Sequence, residues 1–183
     1  MADDEPIVVV RADPSWALEF RELGGRLRAA LDHVAVRIDH VGSTSVPGLD
    51  AKPVLDVQVS VAGLEPDAPF RAPLERLGFV YHAPNSDRTQ RLFREPPGTR
   101  RIHVHVRAAG SFDEQLNLLF RDYLRRHPEA RDEYAKVKRD LAERFRQDRE
   151  GYVRAKEPAV WALLVRAHDW SQRTGWSPGP TDA

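Results

Sequence analysis

Apolar positions along this 183-residue chain recur with two different periods, and the change of period separates a mixed front half from a helical back half. Residues 7–10 (Ile7-Val8-Val9-Val10) predict a short strand that Asp13-Pro14 stops. From Ser15 onward Trp16, Phe20, Leu23, Leu27 and Leu31 recur at helical spacing, with Ser15 placed as the N-cap. The stripe runs on through Gly24-Gly25, although each glycine weakens a helix by about 1 kcal/mol. Residues 34–41 alternate as a strand does, Gly42 to Lys52 reads as a loop, and Pro53 to Val61 reads as a strand. A helix is expected over 66–77, ending at Gly78. Further strands are expected over 79–82, 90–95 and 101–107, the last two joined through Pro96-Pro97-Gly98.

The back half changes period. Ser111-Phe112-Asp113-Glu114 has the S-x-x-E form of a capping box and opens a helix to about His127. Pro128 stops that helix and suits the first turn of the next, roughly 129–147, with Tyr134, Val137, Leu141 and Phe145 on one face. A last helical region covers about 150–172, with Pro158 marking a kink or a restart. Residues 1–176 are expected to form one domain, and 177–183, rich in Pro and Gly, a disordered tail. Strands first and helices afterwards predict an α+β fold, a mixed sheet with an appended C-terminal helical layer.

Composition narrows the partners. The 28 basic residues equal the 28 acidic ones, whereas a nucleic-acid surface leaves a basic excess, so no nucleic-acid partner is expected. No apolar run is long enough to cross a bilayer and the start lacks the basic region of a signal peptide, so a cytoplasmic protein without a membrane partner is expected. The absence of Cys excludes a disulfide scaffold and a thiol nucleophile, and limits any metal site to carboxylate and imidazole ligands. Only Lys52, Lys136, Lys138 and Lys156 are lysines. Arg suits forked binding of phosphate, but a codon bias explains its excess equally well. The oligomeric state is not legible.

The candidate chemistry starts at Gly42-Ser43-Thr44-Ser45-Val46-Pro47-Gly48, which places small and hydroxyl residues directly after a strand, where an anion is readily held. It lacks the Gly-Lys-Ser/Thr ending of a Walker A loop. In the next strand Leu55, Val57, Val59 and Val61 share one face while Val54, Asp56, Gln58 and Ser60 share the other. An uncompensated buried carboxylate there costs on the order of several kcal/mol, so Asp56 needs a salt bridge, a metal or an open cleft.

Val41-Gly42-Ser43 followed by Leu55-Asp56-Val57-Gln58 resembles the nucleotidyltransferase signature, except that Gln58 stands where the second carboxylate belongs. More specifically, residues 40–59 resemble the hallmark of the GrpB family of bacterial nucleotidyltransferase-like proteins. The likeness continues through Asp13-Pro14-Ser15-Trp16, the strand Arg101 to Val106, Phe120 to Pro128, Tyr134 with Lys138, and Tyr152 with Lys156. It spans about residues 8–170. The resemblance implies a nucleotidyltransferase-like mixed sheet flanked by helices, and a nucleotide or other phosphorylated small molecule as ligand. It places Gly42, Ser43 and Thr44 around phosphate and Asp56 on Mg²⁺. Lys52 and the Arg-rich strands with Arg91 and Arg94 would balance charge, and His103 or His105 would lie near the reacting atoms. Tyr134/Lys138 and Tyr152/Lys156 are i,i+4 pairs that put each Tyr and Lys on one helix face, so Lys138 and Lys156 are expected to reach the cleft where that face closes over the sheet. GrpB-like domains also extend dephospho-CoA kinases, which makes a non-catalytic, partner-assisting module linked to coenzyme A metabolism the alternative.

Two further patterns bear on this. Arg88, Arg91, Arg94, Arg100, Arg101 and Arg107 crowd residues 88–107 against Glu95 alone, a local cationic stretch that would attract an anion. Arg91 and Arg94 fall on opposite strand faces, so only one naturally shares the surface of Asp56. His103 and His105 share a face, a spacing that grips one ion, but the metallohydrolase form H-x-H-x-D-H is absent, which leaves zinc hydrolysis a distant third reading.

Overall fold

Alternation in the strands decides the architecture, because it gives them one apolar and one polar face. The computed structural model describes residues 6–82, 87–96 and 98–183; the Met1–Glu5 start and Pro97 of the expected turn lie outside them. The elements are α1 (Ser15–Leu31), β1 (Ala35–Val41), β2 (Leu55–Val61), α2 (Ala68–Arg76), β3 (Val80–Tyr81), β4 (Gln90–Arg94), β5 (Ile102–Ala108), α3 (Phe112–Arg126), α4 (Pro128–Arg144) and α5 (Arg149–Thr174). The strands form one mixed sheet in the order β1-β2-β5-β4-β3. β2 and β5 are parallel and the other pairs antiparallel.

The apolar face of the sheet carries Ile38, Val57, Val59, Val104, Val106 and Phe93 against Phe20, Leu23 and Leu27 of α1 and Phe70 and Leu74 of α2. Burying a side chain of this kind stabilises by about 1.5–3 kcal/mol, so this layer is the main core. The polar face is covered by α3, on which α4 and α5 pack through Leu119, Tyr123, Leu124, Tyr134 and Leu163. Val46 and Leu49 of the loop before β2 belong to that same apolar cluster, which fixes the loop against the helices.

Five local expectations are corrected. Residues 7–10 are not a strand: only Val10 bridges, to Ala51, while Ile7 donates its N–H to the Arg146 carbonyl at 2.8 Å. Ser15 is the first residue of α1 rather than its cap, because the Asp13 carboxylate takes the Ser15 N–H at 2.8 Å. The capping box does not form: Ser111 stands at the N-cap, but its hydroxyl has no partner among the described residues, and Glu114 turns to Ser60 (2.7 Å) and to the Gly110 N–H (3.1 Å). α5 does not restart at Pro158 but runs through it as one helix, held by buried Tyr152 before it and buried Leu163 and Ala167 after it. The tail is ordered, because β1 is an edge strand whose free backbone groups it satisfies. Ile38 donates to Thr181 Oγ1 (2.9 Å), His40 to Asp182 Oδ2 (3.0 Å), and Ala183 to the Ile38 carbonyl (3.1 Å).

Candidate functional site

The site begins where β1 ends. Gly42 has φ 68°, and a Cβ there would lie 2.6 Å from Asp56 Oδ2, so both the backbone angle and the close approach require glycine. A single 3₁₀ turn, Ser43–Ser45, follows. The turn is pinned from the helices, by Arg125 Nε to the Ser45 carbonyl (3.0 Å) and Arg131 to the Pro47 carbonyl (3.3 Å). Thr44 is fully engaged. Its hydroxyl donates to the Val54 carbonyl and meets His40 Nε2, each at 3.0 Å. His40 stacks on Phe20 at 4.8 Å, and burial pulls its pKa down to about 3, so its imidazole is neutral.

Register across β2 and β5 sets Asp56 beside His103 and Gln58 beside His105. His103 Nδ1 lies 3.1 Å and His105 Nε2 3.3 Å from Asp56 Oδ1. Burial alone would raise the Asp56 pKa, but the two imidazole contacts outweigh it and hold the carboxyl well below its usual range. Gln58, wholly buried, has a different duty. Its amide donates to the Glu114 carbonyl (3.1 Å) and accepts from Asn117 (2.9 Å), which ties β2 to α3.

A cavity of about 540 Å³ opens between this sheet end, the loop and the helical layer. Gly42, Ser43, Thr44, Lys52, Asp56 and His103 line it from the sheet side; Tyr134, Lys138, Arg149, Tyr152 and Lys156 line it from the helices. The two Tyr/Lys pairs separated by four residues therefore do face the cleft, as each Lys shares a helix face with its Tyr. Lys138 Nζ is buried, lies 4.7 Å from the Tyr134 ring centroid, and has no hydrogen-bond partner among the described residues. Burial lowers the Lys138 pKa to about 7, and repulsion from Lys156, Arg139 and Lys52 adds to it against the pull of Asp50. Burial likewise takes Lys52 to about 8, with Arg149 and Lys156 repelling it and Asp56 opposing. Burial raises the Tyr134 phenol, with a hydrogen bond to Ser43 opposing. The cavity thus gathers cations beyond the carboxylates facing it, which is how a protein prepares for an anionic ligand.

Of the residues expected at the site, Gly42, Ser43, Lys52, Asp56, His103 and Lys138 meet in this cavity, with Thr44 present but its hydroxyl engaged. His105 touches Asp56 from behind. Arg91 does not reach it: paired with Val106, it points to the opposite face and ion-pairs with Glu65. Arg94 shares the face of His103 but stands outside the cavity lining. The cationic stretch 88–107 is largely neutralised, Arg100 by Glu19, Arg101 by Glu95 of the stretch itself (3.2 Å) and Arg107 by Asp113 (3.6 Å). Arg149 and Asn117 were not anticipated. Asn117 carried a faint signal, as an amide within an otherwise apolar run of α3; Arg149, at a helix start, carried none.

A pair of Mg²⁺ ions asks for an oxygen-rich set with two or three carboxylates. Here Asp56 supplies one, Gln58 is engaged with α3, and among the described residues the remaining groups in reach are imidazoles. These residues do not fit a two-Mg²⁺ site.

The sheet order and the Gly-Ser turn before Asp56 define a protein of nucleotidyltransferase fold. Consistent with this, Cid1 in complex with the UTP analog UMPNPP superposes with a TM-score of 0.51 at 14% identity, over 74% of this chain and 43% of that one, a likeness of fold. The chain belongs to the GrpB family, whose model, described as GrpB protein, matches residues 6–166. The GrpB protein from Enterococcus faecalis superposes with a TM-score of 0.82 at 29% identity, covering 90% of this chain and 99% of that one. A UPF0157 protein of Pseudomonas aeruginosa is 43% identical over 91% of this chain and 69% of its own length. Dephospho-CoA kinase of Mycolicibacterium paratuberculosis is 33% identical over 94% of this chain, which spans 49% of that protein. Among the described residues no helix is long and apolar enough to cross a membrane.

Proposed function

We propose that this chain binds a nucleotide or another phosphorylated small molecule in the cavity between Gly42-Ser43, Asp56 and the helical layer. The observation that carries this is Lys138, a buried ammonium with no hydrogen-bond partner among the described residues, set in a cavity with Lys52, Lys156 and Arg149. Leaving such a charge unpaired is costly, and a phosphate supplies the missing counter-charge. The Gly42-Ser43 turn offers small groups close to that phosphate, and Tyr134 and Tyr152 offer flat walls to the rest of the ligand.

Transfer of a nucleotidyl group is the finer form of this reading. It is supported by the fold and by Asp56 at the position of the first carboxylate, and opposed by Gln58 at the position of the second. The non-catalytic alternative draws on that Gln58 and on the relatives of about twice the length named dephospho-CoA kinase.

Thermal-shift and calorimetric titrations with ATP, CTP, GTP, UTP, coenzyme A and dephospho-CoA, with and without Mg²⁺, test the proposal. At least one should bind wild type, and Lys138→Met should abolish that binding. Indifference to all six, or binding unchanged in Lys138→Met and Ser43→Ala, would overturn it. Product formation from a bound triphosphate separates the transferase form from the module.

A further inference from the structure

The contacts around His105 do not close with a neutral imidazole. Gln90 is oriented by its neighbours: its Nε2 donates to Asp87 at 2.7 Å, and its Oε1 accepts from Arg107 at 3.3 Å. Oε1 also faces His105 Nδ1 at 2.8 Å, so the Nδ1 proton goes to Gln90. The lone pair of Nε2 is then aimed at Asp56 Oδ1, another acceptor, 3.3 Å away. His103 Nδ1 faces the same oxygen at 3.1 Å, where it can donate a proton or share a metal, and its Nε2 is buried with no partner among the described residues. The two acceptor atoms His105 Nε2 and Asp56 Oδ1 need a cation between them, either an extra proton or a metal.

We propose that Asp56, His103 and His105 form a binding site for a single transition-metal dication of the Zn²⁺ class at the inner wall of the cavity. One ligand atom from each of the three lies within 4.8 Å of the others. A tetrahedral centre with bonds of about 2.0–2.1 Å spaces its ligand atoms roughly 3.3 Å apart, close to the two contacts on Asp56 Oδ1. Two nitrogens and one carboxylate favour Zn²⁺, Co²⁺ or Fe²⁺ over Mg²⁺, which prefers oxygen and keeps its waters. Gln90 is the outer partner that fixes the His105 tautomer, the usual arrangement for a metal-bound histidine. With three protein ligands, the ion has room for one more donor. Asp56 and His103 line the cavity, so that donor is water or a ligand oxygen.

The site stands without the phosphate reading, because its test uses metal alone. The full-length chain, stripped with a chelator, is titrated with Zn²⁺ against a chromophoric competitor at neutral pH. Expected are one ion per chain, affinity that survives a large excess of Mg²⁺, and the intense visible bands of four- or five-coordinate Co²⁺ when cobalt is used. His105→Ala and His103→Ala should lose binding, and Gln90→Leu, which leaves every ligand in place, should weaken it about 10–100-fold. Circular dichroism checks that each variant folds. Absence of Zn²⁺ and Co²⁺ binding by wild type, or binding unchanged in a folded His105→Ala, would overturn the site in favour of a protonated His105 paired with Asp56. Displacement of Zn²⁺ by millimolar Mg²⁺ would overturn the selectivity.

Discussion

Two clusters share the polar face of the same sheet, and they differ in whether their polar groups are satisfied. Near the α3 end, Asp39 is fully buried between Arg37 (2.9 Å) and Arg121 (3.5 Å), and Arg121 also holds Asp122 and Asp182. Beside them Gln58 and Ser60 are matched by Asn117 and Glu114. This network is closed. A few residues away, among the described residues, Asp56 meets only imidazoles, His103 Nε2 has no partner, and Lys138 has no hydrogen bond. Buried polar groups that partner one another hold a fold together; those left open await something the chain does not contain.

Mutations should separate the two clusters. The largest effect belongs to the closed one: Arg121→Met leaves Asp39 with one partner and should cost about 3–5 kcal/mol in urea unfolding. Full stability in that variant would show that the network is not structural. Gln58→Glu comes next. It loses the donor to the Glu114 carbonyl and sets a charge against it, for an expected loss of about 1–3 kcal/mol, with no gain of Mg²⁺-dependent turnover. A stable, newly active Gln58→Glu would mean that the second-acid position belongs to the site after all.

Lys138→Met should act in the opposite direction. The folded pKa of Lys138, about 7, lies below the unfolded value of 10.5. The unfolded chain therefore binds more protons between those values, and wild-type stability rises with pH across that window. Removing the lysine should flatten this rise and lift the melting temperature at pH 7, by about 1 kcal/mol or more in stability, while eliminating ligand binding. A destabilised Lys138→Met would place Lys138 in the structural cluster instead.

The same contrast explains what the sequence could reveal. Period-two strands and the stripe from Trp16 to Leu31 are legible because their burial depends on local spacing alone, and Asp56 stood out as a charge in an apolar strand. The Gly42-Ser43 turn became meaningful only through that neighbour. What distant residues decide was hidden. Glu19 and Glu65 silence Arg100 and Arg91, and Ser15 is drawn into α1 with its N–H on the Asp13 carboxylate. The C-terminal residues have no apolar pattern, and order on the edge of β1 through Thr181 and Asp182. Lys138 and Lys156 were visible as partners of tyrosines four residues away, but only the packing of α4 and α5 over the sheet turns them toward one cavity. The Asp56–His103–His105 grouping likewise needed the parallel pairing of β2 with β5.

Binding of the proposed phosphate at the buried lysines is coupled to protons. A phosphate bound beside Lys138 and Lys52 raises both pKa values from about 7 and about 8, so binding at pH 8 must take up protons, and affinity must fall as pH rises from 7 toward 9. Calorimetry of the best-binding nucleotide at pH 8, in two buffers of different ionisation enthalpy, measures that uptake directly. The expected result is net uptake of a substantial fraction of a proton, lost in Lys138→Met. Binding with no proton exchange, or with net release, would contradict the assignment of the buried lysines to the ligand.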